Sequence, residues 1–134
     1  MKHLLVNLTH DSLLDTGPPA GWQIDGNFGG TAAIAEGLLQ SRGGVVHVLL
    51  ALMPSSKKGS FTGLRARGGF VVDAEWEDGR VISVEVHSLL GNPLKLRVGN
   101  GQSLVRSDTR GESGSETMEI ETEKDSKYSF SGAS

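Results

Sequence analysis

From Thr31 onward, the apolar residues Ala32, Ile34, Ala35, Leu38 and Leu39 recur at three- and four-residue spacings, with Glu36 and Gln40 between them. That period predicts one amphipathic helix over residues 31–41. Asn27 or Thr31 offers a cap at its start, and Gly43-Gly44 supplies a left-handed exit. After the glycines the period falls to two. Residues 45–50 read as a short apolar strand, stopped by Pro54 and a Ser/Lys/Gly loop. Phe70, Val72, Ala74 and Trp76 share one face of a second strand, with Val71, Asp73 and Glu75 on the other. Asp78-Gly79 is a hairpin signal, and residues 81–88 return with Ile82, Val84 and Val86 on one face. After a turn at Gly91-Asn92-Pro93, Leu94, Leu96 and Val98 alternate with Lys95 and Arg97. Residues 99–116 are rich in Gly, Ser and charge and read as a mobile loop, followed by one or two closing strands around Met118, Ile120, Tyr128 and Phe130. The pattern predicts a mainly β chain with one or two helices and an antiparallel layer of at least four strands.

Upstream of the helix, Gly17-Pro18-Pro19-Ala20-Gly21 excludes regular structure and forces a turn or an extended crossing. The run 22–30 follows at once. Read as an extended segment, it places Gln23, Asp25 and Asn27 on one side and Trp22, Ile24 and Phe28 on the other. Asp25 then sits before the positive end of the helix dipole, as a hydrogen-bond acceptor with amides beside it. One short helix followed by a β meander is unusual for a whole domain, because such a helix needs a covered apolar face. The expectation is the end of something larger.

Composition narrows the function classes. The 134 residues suffice for one ordinary domain. A net charge of −3 gives no electrostatic case for a nucleic-acid or membrane partner. Residues 1–106 carry ten basic against nine acidic side chains and residues 107–134 three against seven, so the excess acidity lies in the tail. The absence of cysteine excludes disulfides, thiolate metal sites and a cysteine nucleophile. His3, His10, His47 and His87 form no metal-ligand spacing, and His47, in an apolar strand, reads as a hydrogen-bonded structural residue. Gly26 to Gly30 lacks the lysine and hydroxyl of a phosphate loop and the spacing of a dinucleotide fingerprint. No metal or cofactor is therefore expected. Residues 1–10 have too short an apolar patch for a secretory leader, which leaves the compartment open. Asn7-Leu8-Thr9 matches the N-glycosylation acceptor pattern.

An ordered series of motifs carries a resemblance. Its pieces are Asp15-Thr16, Pro18-Pro19, Gln23-Ile24-Asp25-Gly26-Asn27-Phe28-Gly29, Thr31-Ala32 with Ile34-Ala35-Glu36 and Leu38-Leu39-Gln40-Ser41, His47, and Gly63-Leu64-Arg65-Ala66-Arg67-Gly68-Gly69-Phe70 with Val72-Asp73 and Trp76. Spread over roughly residues 13–98, it resembles the C-terminal end of glycoside hydrolase family 95, the α-L-fucosidases. Gly17 stands where the family often has histidine, and Ala20-Gly21-Trp22 where a phenylalanine usually follows the prolines.

The resemblance implies an inverting hydrolase of terminal α-linked L-fucose, with an (α/α)6 barrel that carries the site and a β domain behind it. Residues 1–43 would be a remnant of the catalytic barrel, containing its last helix, and residues 44–134 the β-sandwich-like C-terminal domain. In the family, an upstream glutamic acid protonates the leaving oxygen, and a pair of asparagines polarised by the motif's aspartate activates the water. By motif match that aspartate is Asp25, with Trp22, Gln23 and Asn27 as candidate sugar contacts. The partners implied are a fucosylated oligosaccharide or glycan, bound by the intact enzyme, and the missing barrel.

Blander readings stand beside these. Asp25 also suits a helix-start carboxylate satisfying backbone N–H groups, Asn27 a cap or turn residue, and Trp22 a buried or interface aromatic. Arg65 and Arg67 suit pairing with acidic neighbours or packing against the helical domain, and the run 119–125 a solvated edge. Two functions from different classes follow: a fucosidase fragment inactive alone, or a stand-alone β-type carbohydrate-binding or interaction module.

Overall fold

A computed structural model of the chain describes residues 7, 16–17, 21–22, 24–107 and 115–133. The chain divides into two compact units, Met1–Glu36 and Gly37–Ser134. In the first, strand β1 (Thr16–Gly17) pairs antiparallel with β2 (Gly21–Trp22), Thr16 opposite Trp22 and Gly17 opposite Gly21. Residues 18–20, on which the expected turn or extended crossing falls, lie outside the described residues.

Helix α1 spans Ile24–Leu38, beginning seven residues earlier and ending three residues sooner than the apolar period predicts. The extended alternation over 24–28 is therefore corrected. In a helix, Ile24 and Phe28 still share a face, now because they lie four apart. Thr31 is mid-helix, its hydroxyl donating to the Asn27 carbonyl at 3.0 Å, one turn back, so it does not cap the start. Four of the fifteen residues are glycine, each less favourable in a helix than alanine by roughly 0.5–1 kcal/mol. No α1 side chain is buried. Propensity does little to hold the helix, and its last residue, Leu38, is partly buried and packs against the core.

Leu39, Gln40 and Ser41 leave the predicted helix for strand β3 (Leu39–Arg42), where Leu39 pairs with Val48 of β4 (Val45–Val48). Gly43 and Gly44, at φ 60° and 78°, form the tight turn between the two strands instead of a helix exit. Two consecutive left-handed residues match the right-handed strand twist.

The remaining strands are β5 (Lys58–Ala66), β6 (Phe70–Glu77), β7 (Arg80–Ser88), β8 (Leu94–Val98), β9 (Leu104–Arg106), β10 (Thr117–Ile120) and β11 (Ser126–Gly132). They form a four-stranded sheet in the order β10-β8-β4-β3 and a five-stranded sheet in the order β5-β6-β7-β11-β9. The fold is mainly β, in two sheets. One pair departs from the antiparallel expectation, since β4 and β8 run parallel. Their connection passes through β5, β6 and β7, which lie in the other sheet.

Alternation decides what is buried. Val48, Leu94 and Leu96 from the first sheet and Val72, Val86 and Phe130 from the second are at most 1% exposed and belong to one hydrophobic cluster. Burying each such side chain contributes about 1.5–3 kcal/mol. A register shift between Glu75 and Trp76 puts Trp76 opposite Val81, so Val81 enters the core and Ile82 stays exposed, the reverse of the simple alternation. The segment read as a mobile loop holds a 3-10 turn at Gly99–Gly101 and strand β9, which pairs with β11. Residues 108–114 of it lie outside the described residues.

Three buried polar residues tie the edges of the core. Thr122 donates to the Asn92 carbonyl at 2.6 Å and contacts the Ser88 hydroxyl at 2.7 Å. Thr122 has one proton, so Ser88 must be the donor between them, while Ser88 Oγ accepts the Gly91 N–H at 3.1 Å. The chain of donors runs one way, from Gly91 to Asn92. Gln102 makes a comparable clasp on Val81, through both ends of its amide.

Candidate functional site

The aspartate singled out by the sequence lies in the first turn of α1 and is exposed. Its acidic side chain is at the end of the helix where the unsatisfied N–H groups favour negative charge. Asp25 makes no side-chain hydrogen bond or ion pair among the described residues, so its carboxylate remains available as an acceptor. Asn27, two positions on, points about 200° around the helix from it. The helix therefore does not bring Asp25 and Asn27 to one side, as the extended reading expected. Trp22 is in β2, where its backbone pairs with Thr16, and Gln23 lies outside the described residues. Ile24 and Phe28 share a face of the helix and are 59% and 68% exposed.

On the outer face of the four-stranded sheet, Gln40, His47, Arg97 and Thr117 form one cross-strand row. Among the described residues His47 Nδ1 is buried without a hydrogen-bond partner, so that ring nitrogen does not fit the expected hydrogen-bonded structural role. Burial of the ring first, then the charges of Arg97 and Arg42, holds its pKa below the ordinary histidine value. The row favours a neutral imidazole flanked by cations. Arg67 reaches the first sheet through its backbone N–H, which donates to Ser41 Oγ at 3.0 Å. The run 119–125 is not wholly solvated, because Thr122 within it is buried.

A cavity of about 450 Å³ opens where loop 49–57, the Asp78-Gly79 turn and Asn100 meet. Trp76 ties this loop to the sheet, its indole N–H donating to the Ser56 carbonyl at 2.9 Å. No sequence signal marked the place, since its walls come from three separated segments. Among the described residues no group of three His, Asp or Glu side chains is arranged to hold a metal ion. No described helix is long and apolar enough to cross a membrane.

Residues 40–131, from β3 to β11, match the family model for the glycoside hydrolase family 95 C-terminal domain. The chain belongs to glycoside hydrolase family 95. The two-sheet unit is thus the family 95 C-terminal domain, and Asp25 lies on its N-terminal side. The chain is also similar to Alpha-L-fucosidase 2 of Arabidopsis thaliana, at 41% identity over 75 residues, which is 54% of this chain. It spans about 8% of the length of that curated relative.

Proposed function

We propose that this chain supplies the C-terminal portion of an inverting α-L-fucosidase acting on terminal α-linked L-fucose of oligosaccharides or glycans. Residues 1–43 belong with the helical catalytic barrel, and residues 44–134 form the domain behind it. Asp25 polarises a water-activating asparagine contributed by the barrel, and the remaining catalytic groups also come from there. The observation that carries this reading is the motif Gln23-Ile24-Asp25-Gly26-Asn27-Phe28-Gly29 immediately before a family 95 C-terminal domain.

The chemistry is consistent with an exposed carboxylate that has no side-chain partner among the described residues. An amide alone is a weak base. When its N–H donates to a carboxylate, electron density shifts onto the amide oxygen, which then takes a proton from the attacking water. Water adds to the anomeric carbon as the glycosidic C–O bond breaks, and a carboxylic acid across the bond protonates the leaving oxygen. Asp25 acts in this scheme through the asparagine, while Trp22, Gln23 and Asn27 are assigned to sugar contacts around it.

On this account the isolated chain does not hydrolyse fucosides, because the water-activating amide and the general acid are not among its assigned residues. Incubation of the purified chain with an α-1,2-fucosylated oligosaccharide tests this by the release of free fucose. None is expected. Release by the chain that Asp25→Asn abolishes would show a self-sufficient site and overturn the proposed division of labour.

A further inference from the structure

We propose that the cavity formed by loop 49–57, the Asp78-Gly79 turn and Asn100 binds a terminal 6-deoxyhexose, on the β domain itself. The proposal rests on the fucosidase reading for the sugar class and on the cavity for the site. Its volume of about 450 Å³ falls within the range usual for small-molecule sites. The lining divides by chemistry. Leu50, Met53 and Pro54 make an apolar side, with Leu50 and Met53 50% and 51% exposed. Lys57, Asp78 and Ser56 supply a cation, an anion and a hydroxyl.

Lys57 and Asp78 both line the cavity, yet neither makes a side-chain hydrogen bond or ion pair among the described residues. Next door, Lys58 pairs with Glu77 at 3.0 Å. Both side chains are exposed, and although Asp78 also lies in the field of Lys58, the two opposite charges on the lining suit a ligand that both donates and accepts hydrogen bonds. A 6-deoxyhexose has vicinal hydroxyls, which donate to the Asp78 carboxylate and accept from the Lys57 ammonium, and a methyl group for the Leu50, Met53 and Pro54 side.

The walls are fixed before any ligand arrives. Gly79 N–H donates to the Lys57 carbonyl at 3.2 Å, Asn100 Nδ2 to the Gly79 carbonyl at 3.1 Å, and Ser56 N–H to the Met53 carbonyl at 2.8 Å. Leu49, Asp78 and Asn100 all have positive φ, at 56°, 49° and 65°. For Leu49 this backbone is costly, and such strain gathers where a loop must have one particular shape. Preorganised walls reduce the cost of ordering on binding.

Titration of the ¹⁵N-labelled chain with methyl α-L-fucoside, followed by amide shifts, tests the site. Saturable shifts are expected at residues 50–53, 55–57, 78–79 and 100, with a dissociation constant on the order of 1–10 mM. Methyl α-L-galactoside differs by one hydroxyl on the methyl carbon and should bind about tenfold more weakly, as an apolar wall discriminates only modestly. Asp78→Asn keeps a residue that tolerates the left-handed backbone and should also weaken binding about tenfold. Absence of shifts at these amides up to about 50 mM fucoside, equal binding of the galactoside, or undiminished binding by Asp78→Asn would each overturn the proposal. Hydrolysis by the barrel-containing enzyme that depends on Asp25, without shifts at this cavity, would remove this proposal alone and leave the fucosidase reading standing.

Discussion

The side-chain amide of Gln102 clasps both backbone groups of Val81: Oε1 accepts the Val81 N–H at 2.8 Å, and Nε2 donates to the Val81 carbonyl at 2.9 Å. Both residues are buried. The clasp substitutes for a strand at the start of β7, and an added Cβ on Gly132 would overlap the Val81 carbonyl. Gln102→Ala leaves two buried groups unpaired and should cost roughly 2–4 kcal/mol. For a domain of this size, that lowers the Tm by on the order of 10–20 °C. Thermal unfolding followed by circular dichroism checks it, and a fall of no more than a degree or two would show that water satisfies Val81.

His47 makes stability depend on pH. Its imidazole titrates at an ordinary value of 6.5 when unfolded and lower when folded, through burial and the nearby Arg97 and Arg42 charges. The unfolded state therefore takes up the proton first as pH falls. The contribution is fully present above about 6.5 and is lost as pH drops through the folded value. Tm should decline over that window in the native chain and decline less in His47→Gln. Identical profiles would remove His47 as the cause.

The exposed apolar residues of α1 should promote self-association of the isolated chain. Ile24, Phe28 and Ile34 are 59%, 68% and 44% exposed. Sedimentation velocity should show a weight-average mass that rises with concentration, and Phe28→Ser with Ile34→Ser should lower it. A monodisperse monomer at all concentrations would show that the exposure of these side chains is tolerated by water.

Strands β6, β7 and β8 were legible because their burial alternates and because Asp78-Gly79 marks the hairpin between the first two. Strand β5 was not, since Gly59 read as part of the Ser/Lys/Gly loop after Pro54. Gly59 is there because the Trp76 ring occupies the space a Cβ would need, a tertiary reason invisible in local sequence. The start of α1 was hidden by an ambiguity. Ile24 and Phe28 fit both a period of two and a spacing of four. Its end was hidden because Leu39 continues the helical apolar pattern while pairing with Val48. Gln102, Ser88 and Thr122 gave no signal, because their side-chain partners include residues 21 to 34 positions away. Asp25 was found by motif and not by fold. The helix places it in the first turn, whereas the extended reading had put it on one face with Asn27.

The role proposed for Asp25 is to serve a fucosidase reaction completed by a barrel. That role is read out by the rate of fucose release from an α-1,2-fucosylated oligosaccharide by a chimera. In it, this chain replaces the corresponding C-terminal portion of the Arabidopsis relative. The chimera should be active, and its kcat should fall by about 10³-fold or more on Asp25→Asn, with fold and Tm unchanged, as for other groups that stabilise a transition state. A folded chimera that hydrolyses equally well with asparagine at position 25 would contradict it.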